Sequence, residues 1–330
     1  MAVSFNVGIL PNRPIEDFVN WIAQADELGF GGVWVADSQS VFRDAFMALT
    51  LFADRTRHME LATGVSNVIT RHPAVLANSF ATLDEFSGGR AVLGIGIGDS
   101  AIYNIGHKPA KLKRLEDLIA VLRQLMAGET AHFDGQDIKV SWPPRKVPIV
   151  IACTGPKSLQ LAGRIADGVL FQVGSDPTLV RYAKKNIAIG ANQASRDVND
   201  IKLYQRLACA VSEDRDQVRK EARGYASVAA NTIYSAIPRE DIPDALWEDL
   251  HILREKYDYQ QHGSMDADQA ELITDRILDA VAIAGTTEEA VPRFQELMEL
   301  GVENFVLPIA TKEPDVIIRT LAEQVLPKLR

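Results

Sequence analysis

Hydrophobic positions along the chain fall into two kinds of run that take turns. Short, nearly continuous apolar stretches of strand length are each followed by a longer stretch with helical apolar spacing. The strand runs are Val3–Leu10, Gly32–Asp37, Met59–Ser66, Ala91–Gly98, Pro148–Cys153, Gly168–Val173, Ile201–Val211 and Asn304–Pro308. The helical runs are Ile15–Leu28, Arg43–Thr56, Pro73–Phe86, Ala110–Met126, Lys157–Ala166, Pro177–Gln193, Glu213 to about Ser235, Thr287–Leu300 and Pro314–Leu326. Strands that are each followed by helix predict a (β/α)₈ barrel, a TIM barrel, rather than an open sheet. No Pro/Ser/Gly-rich linker interrupts the pattern, so residues 1–330 are expected to form a single domain.

Two stretches do not fit the minimal barrel. Gly128–Pro144 reads as a short hairpin or excursion before the fifth strand. Ile237–Asp275 is an insertion between strands seven and eight, rich in charge and carrying Trp247, Tyr257, Tyr259 and His262. Long excursions of this kind serve as lids or binding loops, or as oligomer contacts and inert decoration. Both readings stay open for this one.

The run Gly64–Asp99 is the densest in information. On Val92–Gly98, side-chain alternation sends Leu93, Ile95 and Ile97 to one face and Gly94, Gly96 and Gly98 to the other. Inside a barrel, a glycine face leaves room for a ligand; close packing of another layer is the alternative. The strand delivers Asp99 to its C-terminal end, where barrel enzymes carry their active sites. That position admits a proton-donating acid or the N-cap of the turn through Ser100-Ala101. The same rule nominates Asn12, Asp37-Ser38, Gly64 to Asn67, Cys153 to Pro156, Gln172 to Gly174 and the stretch after Val306. Thr154-Gly155-Pro156 and Gln172-Val173-Gly174-Ser175 are polar or glycine turns that open helices. Their backbone N–H groups suit a phosphate or plain helix capping.

Composition narrows the field. The chain has 330 residues, 47% of them hydrophobic, with a formal net charge of -9. Its basic residues are scattered rather than gathered into a stripe, which argues against nucleic acid as a partner. No apolar run approaches the about 20 residues needed to cross a bilayer, and no signal segment precedes the first strand. A cytoplasmic protein is expected. Cys153 and Cys209 lie in apolar runs without a CxxC partner and read as buried structural thiols. The histidines show no HxxxH or HExxH spacing, so no metal site is expected. Gly94-Ile95-Gly96-Ile97-Gly98 lies within a strand and is therefore not a dinucleotide fingerprint.

Three runs, in order, carry a family resemblance. They are GVSNVITRHPAVLANSFATLDEFSGGRAVLGIGIGD from Gly64, PIVIACTGPKSLQLAGRIADGVLFQVG from Pro148, and AGTTEEAVPRFQELMELGVENFVL from Ala284. Together they resemble the luciferase-like flavin and deazaflavin oxidoreductases, especially the methylenetetrahydromethanopterin reductase branch. The resemblance implies a barrel holding coenzyme F420 or FMN with its ring over the mouth. It implies a cis peptide at Gly64–Val65, and a ring bordered by Asp37, Ser38, Gly64, Val65 and Asn67. It assigns the phosphate to Thr154, Gly155, Gln172, Val173 and Gly174, and places Asp99 where several deazaflavin enzymes carry an acid. Several relatives have histidine where this chain has Ser38, so imidazole chemistry is unavailable there.

The expected activity is hydride transfer through a flavin-type ring to or from a small organic substrate, most of all with the deazaflavin. An FMN monooxygenase using reduced flavin and oxygen is the alternative. A barrel lyase or a non-catalytic flavin-binding protein represents a different class. A homodimer or higher homo-oligomer is expected.

Overall fold

A computed structural model of the chain describes residues 3–258 and 268–329. Tyr259 and His262 of the insertion lie outside them. The barrel strands are β1 (Ser4–Ile9), β2 (Gly32–Val35), β3 (Glu60–Thr63), β4 (Ala91–Gly96), β5 (Ile149–Cys153), β6 (Gly168–Phe171), β7 (Lys202–Arg206) and β8 (Asn304–Pro308). All pair in parallel with their sequence neighbours, and β1 closes the ring on β8 with Ser4 opposite Asn304. The expected (β/α)₈ barrel is therefore the observed one. No helix among the described residues is long and apolar enough to cross a membrane.

Alternation along each strand fills two compartments. Outward residues such as Val33, Leu93, Ile95, Ile149 and Phe305 join the shell of helices. Inward residues Trp34, Ala62, Val92, Val150, Leu170, Tyr204 and Val306 form a separate core inside the ring. The Trp34 and Tyr204 rings meet edge-on, 4.8 Å apart, and the Tyr204 hydroxyl donates to Glu60 at 2.9 Å. Lys202 pairs with the same carboxylate at 2.7 Å, so the N-terminal end of the barrel is plugged.

The apolar run Ile201–Val211 is not one strand, contrary to expectation. Barrel pairing of β7 stops at Arg206, and Leu207 donates to the Val306 carbonyl. Ala208–Val211 then leaves the ring to pair in parallel with Ala282–Gly285, a strand the sequence pattern had not marked. Both pieces are extended and apolar, with no Gly or Pro between them, so hydrophobicity alone does not mark the departure. The excursion before β5 contains the expected hairpin, Ala131–Phe133 against Gln136–Ile138. Its turn is Asp134-Gly135, both with positive φ, as a tight two-residue hairpin requires.

Candidate active site

A cavity of about 340 Å³ opens at the C-terminal ends of the strands. Its base is a layer of small residues, Ala36, Gly64, Gly96 and Ala152, from which only Gln172 and Arg206 project as long polar chains. Leu10, Phe42, Ile97, Leu112, Leu115 and Val228 supply apolar walls.

The β3 end is built around the Gly64–Val65 peptide, which is cis, as the resemblance implied. The chain swings out at this bulge and rejoins β4 through Ser66–Asn67, paired with Ile95 and Gly96. Asn67 then folds the following loop: its Oδ1 accepts from the backbone N–H groups of Ile69 and Thr70. The Nδ2 of Asn67 is buried with no partner. Gly94 has a different role from the one its alternation suggested. A Cβ there would lie 2.0 Å from the Thr63 carbonyl and about 3 Å from Trp34 and Val65, so this glycine admits the bulge. Gly96 and Gly98 do line the cavity.

At the end of β2, Asp37 is only 4% exposed. Ser66 Oγ donates to its Oδ2 at 2.6 Å, and Arg71 binds the same oxygen. Arg71 also reaches Asp44 at 3.0 Å and lies 4.1 Å over the Phe46 ring. Burial raises the Asp37 carboxyl above its ordinary value of 3.8, against the pull of Ser66 and Arg71. Its second oxygen takes no donor among the described residues. Ser38, next along, spends its hydroxyl on Ser100 at 2.8 Å and ties the β2 loop to the β4 loop.

Asp99 lines the cavity as an exposed rim residue. It opens the helix Ser100–Tyr103, yet its side chain caps nothing. The acid that the site buries is therefore Asp37, not Asp99.

The two expected phosphate turns differ. Thr154, Gly155 and Gln172 line the cavity. Gly155 opens the helix Pro156–Ile165 with no side-chain cap. Val173 and Gly174, assigned to the phosphate by the resemblance, are not among the residues that line the cavity. Val173 is fully buried in the outer core, and the Gly174 carbonyl is bound by the Gln205 amide. Beyond them, the N–H groups of Ser175 and Asp176 both go to the Ala280 carbonyl. Asp176 caps the next helix with its own carboxylate.

Arg206 was missed by the sequence reading, although a charge two residues after Tyr204 on an inward strand face was visible. From β7 it donates to the Gly64 carbonyl at 2.9 Å, with its guanidinium 5.6 Å from the Tyr225 ring. Its Nε is buried without a partner. Tyr225, Val228, Thr232 and Ala236 come from the helix Arg215–Ala236, which forms one wall of the mouth. No described residue of 237–275 lines the cavity. Asp244–Glu255 instead buries Leu246, Leu250 and Leu253, and Trp247 stacks on Tyr234 at 4.5 Å.

Both cysteines are buried, and burial pushes their thiols up, Cys209 to about 12. His72 caps the helix Pro73–Ser87. No group of His, Cys, Asp or Glu suited to a metal ion occurs among the described residues.

Comparisons with known proteins agree with one another. A family model described as luciferase-like monooxygenase matches residues 3–304. A 5,10-methylenetetrahydromethanopterin reductase of Archaeoglobus fulgidus is 33% identical, over 99% of this chain and 100% of its own length. An F420-dependent glucose-6-phosphate dehydrogenase of Microbacterium testaceum is 26% identical, over 93% of this chain and 91% of its own. Among solved structures, the coenzyme F420-dependent tetrahydromethanopterin reductase of Methanopyrus kandleri superposes with a TM-score of 0.82 at 23% identity, covering both chains fully.

Proposed function

Because the chain belongs to the luciferase-like monooxygenase family, we propose that it is an oxidoreductase moving a hydride between a flavin-type ring and a small organic substrate. Coenzyme F420 is the first choice of cofactor, since relatives and a solved structure named as F420-dependent align over nearly the whole chain. FMN is the second, and with it the chemistry would be a monooxygenation.

The observation that carries this reading is the base of the cavity. A polar ring fits there because Ala36, Gly64, Gly96 and Ala152 leave the base free of bulky side chains, while Asn67 Nδ2 and Arg206 Nε are buried donors without acceptors. Buried donors left unpaired cost about 1–3 kcal/mol each, and ring carbonyls would satisfy them. When bound, such a cofactor supplies the hydride-accepting carbon or nitrogen; the protein supplies orientation and proton control. Gly64, Val65 and Asn67 would border the ring. Thr154, Gly155 and Gln172 would meet the phosphate end, with the uncapped start of Pro156–Ile165 supporting the charge. Asp37, rather than Asp99, would hold the proton, because it is the buried carboxyl with a free oxygen beside the cavity.

Residues 1–330 would act as one catalytic domain, in the cytoplasm and as a homodimer or higher homo-oligomer. Exposed Met47 and Leu51 on Ala45–Arg55, with Val75 and Phe86 on the adjacent Pro73–Ser87, support self-association. Within the insertion, the helix Asp244–Glu255 would stabilise the mouth wall from behind, through Trp247 on Tyr234.

Spectra of purified protein titrated with each cofactor test the reading. A bound one-band deazaflavin spectrum with hydride-transfer activity is expected. Binding of neither cofactor would defeat the proposal, and binding of FMN alone with oxygen consumption would establish the second reading. Gly155→Asp is expected to weaken cofactor binding at least about tenfold, since it sets a carboxylate at the uncapped helix start. Its Cβ would also lie 3.1 Å from the Ala236 carbonyl. Unchanged affinity would remove this turn from the phosphate site.

A further inference from the structure

We propose that Arg206 is the anion receptor of the site, binding the N–C=O edge of the flavin-type ring and favouring its reduced, negatively charged form. The inference rests on the functional reading above.

Its basis is where the guanidinium stands. In the eight-membered ring of strands, β3 and β7 are four places apart in either direction, so they face each other across the mouth. Arg206 leaves β7 and donates to Gly64 on β3 at 2.9 Å. Its side chain therefore crosses the barrel, and the charge lies at the base of the cavity, against the cis bulge. Tyr225 bounds it on the outer side, 5.6 Å away. Among the described residues it forms no ion pair, whereas Arg71, in the loop after β3, binds both Asp37 and Asp44. A half-buried cation held by the Gly64 carbonyl and the Tyr225 hydroxyl, with no carboxylate and with a buried, orphaned Nε, is an incomplete site. The planar fork of arginine matches a flat acceptor edge in a way that a lysine point charge does not.

A flavin-type ring provides that edge. Reduction adds two electrons and one proton as a hydride, and the extra negative charge resides on the N–C=O edge until a second proton neutralises it. A cation beside this edge binds the reduced anion more tightly than the oxidised ring, which raises the bound potential.

The test is equilibrium binding of oxidised and reduced coenzyme F420, and of FMN likewise, to the wild-type protein, Arg206→Gln and Arg206→Lys. For the cofactor that binds, Arg206→Gln should lose at least about tenfold more affinity for the reduced form than for the oxidised form. For a two-electron couple this makes the bound potential about 30 mV more negative. Arg206→Lys should fall between the two, because the charge remains but the fork is lost. The gap should also close at acid pH, where the reduced ring is neutral. Equal weakening of both forms would overturn the proposal and leave Arg206 as a prop for the Gly64 bulge; unchanged affinity for both would overturn it outright. Wild-type protein that binds neither cofactor would defeat the functional reading as well. Wild-type binding with an unaltered ratio in both variants would defeat only the role of Arg206.

Discussion

Asp37 and Asp99 lie on the same cavity, at the ends of β2 and β4 with β3 between them, and share almost nothing else. Asp37 is buried, bound by Ser66 and Arg71 through one oxygen, and raised in pKa by burial. Asp99 is exposed at the rim and its side chain caps nothing. A carboxyl near a reacting ring becomes an acid or base of useful strength through its surroundings, not its position at a strand end. The desolvated network after β2 supplies such surroundings for Asp37.

The largest expected effect follows directly. Asp37→Asn keeps the shape and the Ser66 contact but removes the proton-bearing group, so turnover should fall by about 10²–10⁴. One limb of the pH–rate profile should flatten with it, while cofactor affinity changes little. Normal turnover with an intact profile would break the contrast between the two acids. Next in size is Arg71→Met, which keeps the packing over Phe46 but removes the cation from Asp37. The protein should lose about 1–3 kcal/mol of stability, as for a buried charged hydrogen bond. The Asp37-dependent limb should move to higher pH, because the guanidinium pulls that carboxyl down. A limb that stays in place in stopped-flow profiles would show that another group titrates there.

A smaller effect concerns stability against pH. The folded-state value of Asp37 lies above the unfolded one, so in that window the folded chain binds the extra proton. Its contribution is fully present below the ordinary carboxylate value and is lost as pH rises through the raised folded value. Asp37→Asn cannot lose it. The stability of wild type relative to Asp37→Asn should therefore decline across that window, read by urea unfolding at a series of pH values. A difference that grows with pH would mean that the ion pair with Arg71 outweighs burial.

Much of this was legible in the chain and part of it was not, for reasons that particular residues make clear. Strand and helix alternation marked all eight barrel strands because each buries an outward apolar face. The alternation in β4 correctly separated Leu93 and Ile95 from the glycines. It did not reveal that Gly94 serves Val65 and Trp34, since a close approach is made by residues far away in sequence. The turns after β5 and β6 looked alike because both end in a helix start. What separates them is tertiary: Ala280, Gln205 and Asp176 consume the polar groups of the second turn. The departure of Ala208–Val211 from the barrel was hidden by the same apolar character that marked β7. Arg206 was readable only as a charge on an inward face, and its reach to Gly64 depends on ring closure.

The smallest predicted effect gives the sharpest comparison. Asp99→Asn alters an exposed side chain that caps nothing, so stability should stay within about 0.5 kcal/mol, the range for surface substitutions. Turnover should stay within about threefold of wild type, since the same free-energy range converts to a factor of roughly two to three. A rim carboxylate still faces whatever enters the mouth, so any change should appear in KM and fade with added salt, as screened charges do. Steady-state kinetics at low and high ionic strength read both quantities. A loss near a hundredfold in kcat, with a flattened pH limb, would return the proton-holding role to Asp99. Asp37 would then be a buried structural acid, holding Ser66 and Arg71 in place beneath the loop.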